Sequence, residues 1–267
     1  MEKSRSSNPS ASRWFQEHRR LAYAIVLAGC AFTAFPVNAS DSPKVVLTRF
    51  TDDIYISEDY FYAKENSLVY IGTSFVTVVG ATWTPQTASL LAAEIAKVTP
   101  KPIKEVIDTN HDLDRAGGNA YFRSIGARIV STKLTRDLLE KEGERSVALA
   151  RQGSDYPNVG IVLPDTVYEG DFTLQDGDIR GFYLGPSHKS DDIFVYFPRE
   201  KILYGGCVLK ERLGSIEGAD LVEYPKTLRK LKQLGLPIDT IIAGHYSPVH
   251  GPELIDQYLR MLEDYGR

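Results

Sequence analysis

The sequence predicts an α/β protein built as a four-layer αββα sandwich, with two β-sheets face to face and helices outside. Three observations predict it. Strand-like runs rich in β-branched and aromatic residues recur in both halves of the chain. Each half also carries helical stretches with a single apolar face, which need a sheet to cover. Finally, no linker, low-complexity tract or short repeat interrupts residues 44–267, so one domain, residues 40–267, holds both halves.

The elements follow in order. "KVVLTRF", "DIYISE", "SLVYIG" and "FVTVVGA" read as strands separated by turn residues. "TPQTASLLAAEIAKV" reads as a helix, with Thr84 as N-cap, Pro85 at the first helical position, and Leu90, Leu91, Ile95 and Val98 on one apolar face. The strand "IKEVIDT" then runs into the polar cluster "NHDLD", followed by a helix in "GGNAYFRSIG", the strand "ARIVST" and a long amphipathic helix, "LTRDLLEKEGERSVALARQG". The second half repeats the habit. Strands are expected around "VYEGDFTLQDGDIRGFYLG", "DIFVYFP" and "KILYGG", a helix in "LVEYPKTLRKLKQLG", the strand "IDTIIAGH", and a last helix from "GPELIDQYLRMLED".

The N-terminus is of another kind. Arg19 and Arg20 precede the apolar run "LAYAIVLAGCAFTAF" and then "PVNAS", a small-residue site of the type cut by signal peptidase. That run has only about 15 residues where a membrane span needs about 20, so residues 1–39 are expected to be an export signal. "LAGC" at Leu27–Cys30 also fits a bacterial lipobox, so a lipid anchor at Cys30 is the alternative to a soluble periplasmic form. Loss of residues 1–39 removes five basic and two acidic side chains and shifts the formal charge from -4 to -7. So acidic a chain is a poor nucleic-acid binder. The soluble form would keep Cys207 alone, with no internal disulfide open to it.

Nearly all the metal-capable side chains sit in four segments, each at the end of a strand-like run: "TNHDLD", "GPSH" at His188, "YGGC" at Cys207 and "AGH" at His245. Asp114, Cys207 and His245 offer one carboxylate, one thiolate and one imidazole, a set that suits tetrahedral zinc with a fourth position open to water or substrate. Each residue alone admits a structural reading. Cys207 would serve as a small buried hydrophobe, His188 and His245 as turn residues, Asp114 as a helix N-cap or as an ion-pair partner. His250, in "VHGPELID", reads as a helix-entry residue. The joint pattern is what points to catalysis.

The stretches "DRAGGNAYF", "GDFTLQ", "GPSH", "IFVYFP", "LYGGCVLKE" and "GPELID", with "VVGATWTP" around Trp83, closely resemble class B metallo-β-lactamases. Within that class the chain is most similar to the second subclass, mono-zinc enzymes selective for carbapenems. The resemblance covers the chain from about Val45 onward. It implies hydrolysis of the β-lactam amide in the periplasm, one tightly held zinc on Asp114, Cys207 and His245, and a small-molecule substrate with no protein partner, so a monomer. It also implies that Lys210 grips the substrate carboxylate, and that Trp83 and the helix from Leu134 wall the cleft. Asn110, expected with Lys210, Trp83 and Ser215 on the substrate side, marks the subclass and removes a ligand from a second metal position.

Two departures stand out. Asp112 occupies the place of a family histidine and is expected, with Asp114 and His188, among the catalytic residues. Ser215 replaces a common asparagine near the substrate. If the cluster is extended, Asn110, Asp112 and Asp114 share one face and His111 points away. Two other functions remain open on the sequence alone: another hydrolase of the same superfold, such as a thioesterase or lactonase, against which Cys207 argues, and a noncatalytic zinc-binding protein exported from the cell.

Overall fold

A computed structural model describes residues 44–266. The expected export signal and the lipid-anchor site at Cys30 lie outside them. Among the described residues no helix is long and apolar enough to cross a membrane.

The first half folds as β1 (Val45–Arg49), β2 (Ile54–Asp59), β3 (Glu65–Ile71), β4 (Val76–Val79), α1 (Pro85–Val98), β5 (Ile103–Ile107), α2 (Leu113–Ala116), α3 (Asn119–Ser124), β6 (Arg128–Thr132), α4 (Lys133–Arg151) and β7 (Thr166–Tyr168). Its strands form one sheet in sequence order. The second half supplies β8 (Phe172–Leu174), β9 (Ile179–Phe182), β10 (Phe194–Phe197), β11 (Ile202–Gly206), α5 (Tyr224–Gln233), β12 (Thr240–Ala243), β13 (Val249–His250) and α6 (Leu254–Tyr265). These strands form a second sheet in the order β13-β12-β11-β10-β9-β8.

Alternation along the strands builds the layers. Leu68 and Tyr70 of β3, Ile107 of β5, Val195 and Phe197 of β10, and Ile202 and Tyr204 of β11 face one another between the sheets. Val69, Val106 and Ile129 face outward beneath Ala88, Leu91 and Ile95 of α1 and Phe122 of α3. Phe194, Tyr196, Leu203 and Ile241 face the other way, beneath Leu228 and Leu231 of α5 and Tyr258, Leu259 and Leu262 of α6. Each fully buried leucine, isoleucine or phenylalanine in these layers contributes about 1.5–3 kcal/mol. The αββα sandwich is thus the observed architecture.

Local chemistry matches some boundaries and corrects others. Thr84 caps α1: its hydroxyl accepts from Thr87 N, and the Thr87 hydroxyl accepts in return from Thr84 N, both at 3.1 Å. Val98 is not on the buried face; it is 44% exposed, and Ala88 and Thr87 complete the face instead. The helix expected in "GGNAYFRSIG" is α3; the short helix α2, not expected from the sequence, precedes it, and Gly117–Gly118 separates the two. Both glycines have ordinary right-handed φ. They are needed for close approach: a Cβ at Gly117 would sit 2.0 Å from the Trp83 carbonyl oxygen, and one at Gly118 2.0 Å from that of Ala81. His250 lies in β13, opposite Ile241, and does not open the last helix.

Candidate metal centre

Three strand ends and one strand start converge at an edge where the sheets meet. From β5 the chain passes through Thr109–Asp112 into α2, whose second residue is Asp114. At the end of β11, Gly206 adopts φ +51°, a left-handed conformation open to glycine, and turns Cys207 inward. β12 ends just before Gly244 and His245. Against it the start of β3 forms a backbone bridge between Glu65 and His245. Asn66 locks the junction by donating from its amide to the Ala243 carbonyl at 2.8 Å.

Asp114, Cys207 and His245 meet there. Asp114 Oδ2 lies 3.1 Å from His245 Nε2 and 3.4 Å from Cys207 Sγ, and Sγ lies 3.6 Å from Nε2. A tetrahedral zinc with arms of about 2.0–2.3 Å needs ligand atoms about 3.3–3.7 Å apart, so the triangle and its donor chemistry fit that ion. His245 Nδ1–H donates to the Lys64 carbonyl at 3.0 Å, which leaves Nε2 as the ligand atom. Among the described residues this is the one group of three or more such side chains close enough to hold a metal.

Arg115 underlies the triangle. Its guanidinium is fully buried and pairs with Asp114 Oδ2 at 2.9 Å and Glu65 Oε2 at 2.8 Å, while Nε donates to Cys207 Sγ at 3.2 Å. Burial alone would raise the Asp114 carboxyl, but Arg115, then His245 and Cys207, hold it well below the usual carboxylate range. Burial pushes the Glu65 carboxyl up to about 8 against the pull of Arg115.

Burial also pushes the Cys207 thiol far above the usual cysteine range, opposed by Arg115. In the metal-free protein the thiol therefore keeps its proton at neutral pH and donates it to Asp114 Oδ2. Ligation needs the thiolate, so zinc binding releases that proton. Zinc affinity should rise about tenfold per pH unit through the neutral range and fall by the same factor as pH drops, since one proton is displaced. Chelator competition at several pH values checks this, and a flat profile would exclude Cys207 as a thiolate ligand.

The triangle forms the base of a cleft of about 310 Å³ lined also by Trp83, Asp112, Leu113, Ser146, His188, Lys189, Ser215 and Glu217. A hollow of about 340 Å³ between α5 and α6 has no comparable ligand set. Trp83 is fixed by its indole N–H to the Ala63 carbonyl at 2.8 Å and by edge contacts to Tyr62 and Tyr156. The long helix α4 reaches the cleft through Ser146 and not at Leu134. Asp112 sits at the N-cap of α2 without capping it; its carboxylate pairs with Lys189 Nζ at 3.2 Å. Burial raises the Asp112 carboxyl, Lys189 pulls it down and Asp114 raises it again, leaving it above the ordinary aspartate range. Burial, then Lys210 and Lys189, hold the His188 imidazole well below its usual range, so the ring is neutral.

Two expected substrate contacts lie elsewhere. Asn110 is fully buried: its amide donates to Asp192 Oδ1 at 2.8 Å and its carbonyl oxygen accepts from Asp112 N at 2.9 Å. It therefore shapes the cluster from behind and does not face the cleft. Lys210 is only 3% exposed and does not line the cleft, and burial lowers its ammonium. The cluster is not extended either, because it bends into α2. His111 nevertheless points away, its Nδ1 lying 2.8 Å from Asp191 Oδ1. Lys189, Glu65 and Arg115 were not singled out by sequence as site residues. Lys189 follows His188 directly and Arg115 follows Asp114, which was a usable signal; Glu65 gave none.

Comparison with known proteins bears on this geometry. The chain is 25% identical over 241 residues to a "Metallo-beta-lactamase type 2" of Elizabethkingia meningoseptica, covering 85% of this chain and 88% of that one. Its fold is similar to the metallo-beta-lactamase from Pontibacter korlensis, with a TM-score of 0.73, 21% identity, and coverage of 83% of this chain and 100% of that one. It is likewise similar to the DIM-1 metallo-beta-lactamase, with a TM-score of 0.72, 20% identity, and coverage of 84% and 99%. The family model of the metallo-beta-lactamase superfamily matches residues 64–245, a span that opens at the carbonyl holding His245 and closes at His245 itself, and the chain belongs to that superfamily.

Proposed function

We propose that this chain is an exported, periplasmic zinc-dependent hydrolase that opens the β-lactam ring, prefers carbapenems and confers resistance to them, working as a monomer with one zinc in the manner of the second subclass. The observation that carries the reading is the carboxylate, thiolate and imidazole triangle at the base of a cleft large enough for a small fused-ring substrate. Asp114, Cys207 and His245 would hold the zinc, which supplies Lewis acidity and lowers the pKa of a bound water. Asn110 supports the single-metal reading, because its amide nitrogen donates to Asp192 and its carbonyl oxygen already accepts from Asp112 N.

The chain's own residues divide the remaining work. Asp112 offers a carboxylate beside the zinc ligands to accept a proton from water. Neutral His188 lines the same cleft. Trp83 and Leu113 give an apolar wall for the fused ring. Lys189, on the cleft wall, is the cation available to a substrate carboxylate.

A spectrophotometric assay of purified, zinc-loaded protein with imipenem tests the reading. Imipenem should be hydrolysed, with specificity constants for ampicillin and a cephalosporin at least about tenfold lower, the loss of about 1.4 kcal/mol in transition-state binding. Comparable constants for all three would remove the carbapenem preference, and no turnover would remove the function. Lys189→Ala should raise KM for imipenem, as lost substrate binding does.

A further inference from the structure

We propose that Glu65 is a positioning residue for the metal, setting through Arg115 how tightly Asp114, Cys207 and His245 hold zinc. The inference rests on the zinc reading above and concerns a residue that touches none of the three ligand side chains by hydrogen bond. One guanidinium reaches the ligand atom of each: Arg115 Nη2 lies 2.9 Å from Asp114 Oδ2 and 3.4 Å from His245 Nε2, and Nε lies 3.2 Å from Cys207 Sγ. On its far side Nη1 donates to Glu65 Oε2 at 2.8 Å, to the Asn66 carbonyl at 3.0 Å and to the Tyr204 hydroxyl at 2.7 Å, and Nη2 donates to the Gly244 carbonyl at 2.9 Å. The fork is therefore fixed in place.

A fixed cation this close to a dication is unfavourable unless an anion balances it. Within the group joined by these contacts, with zinc bound, the positive charges are the ion and Arg115 and the negative ones are Asp114, the Cys207 thiolate and Glu65; buried Lys210 and Asp59 lie outside it, opposite in sign to each other. The group is neutral only if Glu65 is counted. Glu65 and Arg115 are both fully buried, and the space around them is closed: a Cβ at Gly80 would lie 2.8 Å from Ser67 Oγ, 3.2 Å from Arg115 Nη1 and 3.4 Å from the Tyr204 hydroxyl. Every side-chain partner of Glu65 is a donor, since Ser67 Oγ donates to Oε2 at 3.0 Å and to Oε1 at 3.2 Å. These donors and Arg115 oppose the burial that raises the carboxyl in the metal-free protein, and the positive charge of a bound ion would act in the same direction as they do. The backbone adds a second coupling, because Glu65 bridges His245 and the preceding carbonyl, Lys64, takes the His245 Nδ1–H.

The test measures zinc dissociation constants by competition with a chromophoric chelator on the purified mature chain. Glu65→Gln keeps the shape and removes the charge. It should weaken zinc about 10- to 100-fold, the usual range for a residue behind the ligands. At saturating cobalt the variant should still show the thiolate-to-metal charge-transfer band, because all three ligands remain in place. The double variant Glu65→Gln/Arg115→Met removes both charges and should bind zinc more tightly than Glu65→Gln alone. A merely structural role predicts the opposite order. If Glu65→Gln does not fold, Ser67→Ala, which strips a hydrogen bond from the carboxylate, carries the test with an expected several-fold weakening. Wild-type affinity in the variant that folds, or a double variant no tighter than the single, overturns the inference alone. A wild-type chain that takes no zinc overturns the metal reading and the inference with it.

Discussion

Cys207→Ser should lower zinc affinity by more than about 100-fold, a larger loss than changes behind the ligands produce, and β-lactam turnover should fall with the metal. The serine hydroxyl does not ionise near neutral pH, so the triangle would lose its anionic sulfur and keep only Asp114 and His245 as ligands. Burial makes the effect sharper. Cys207 is 2% exposed and receives the Arg115 Nε–H, so the new hydroxyl cannot be replaced by a mobile neighbour. Unfolding of the metal-free protein should change little, within the about 0.5–3 kcal/mol usual for a single substitution, because serine fills nearly the same space and accepts the same hydrogen bond. Elemental analysis after gel filtration, beside metal-free denaturation curves, reads the two effects separately. Full zinc content and full activity in this variant would leave Cys207 as nothing more than a buried small side chain.

The layers were legible because strand-like runs and helices with one apolar face are local signals, and such helices need a sheet to cover; which face of β3, β10 or β11 meets the other sheet was not, because these strands are buried on both sides. The Thr84 cap was legible for the same reason, since its partner Thr87 is three residues away. Val98 was not, because the face of α1 is selected by the strands beneath it, and the last helical residue extends past them. The three candidate ligands could be named from residue type and position at strand ends. Their neighbours were harder to find. Asn110 and His111 turn toward Asp192 and Asp191, roughly 80 residues further on, where buried amide and imidazole groups find the partners that burial demands. Lys189 pairs with Asp112 across a similar gap in sequence, and no spacing rule links them. Glu65 opens a strand of the first sheet and reaches Arg115 only because β3 crosses under the end of β12.

Asp112→Asn should reduce kcat for imipenem by about 10² or more with zinc content unchanged, since a general base typically contributes about 10²–10⁴. The residue lines the cleft beside Asp114 and Cys207, and its carboxylate does not cap α2, so it is free for chemistry. Lys189 is its one ion-pair partner among the described residues, at 3.2 Å, and two opposing effects of that pair decide the rate. The ammonium keeps the carboxylate ionised and aimed, but it also competes for the lone pair that would take a proton from water. Burial raises the carboxyl above its ordinary range, Lys189 lowers it and Asp114 raises it again, while a bound zinc would pull it down. In their ordinary ranges imidazole is the stronger base, with a pKa of about 6.5 against about 3.9 for aspartate. Asp112→His should therefore match or exceed the wild-type carbapenem turnover and move the acidic limb of the kcat/KM profile to higher pH, because the base must lose its proton to act and histidine loses it later. Two alternatives predict otherwise. If Asp112 only anchors Lys189, then Asp112→Asn, which still accepts a hydrogen bond from the ammonium, keeps the wild-type kcat. If Asp114 is the base, the acidic limb stays in place in Asp112→His. Steady-state kinetics across the acid range, with zinc content measured on the same samples, separates all three.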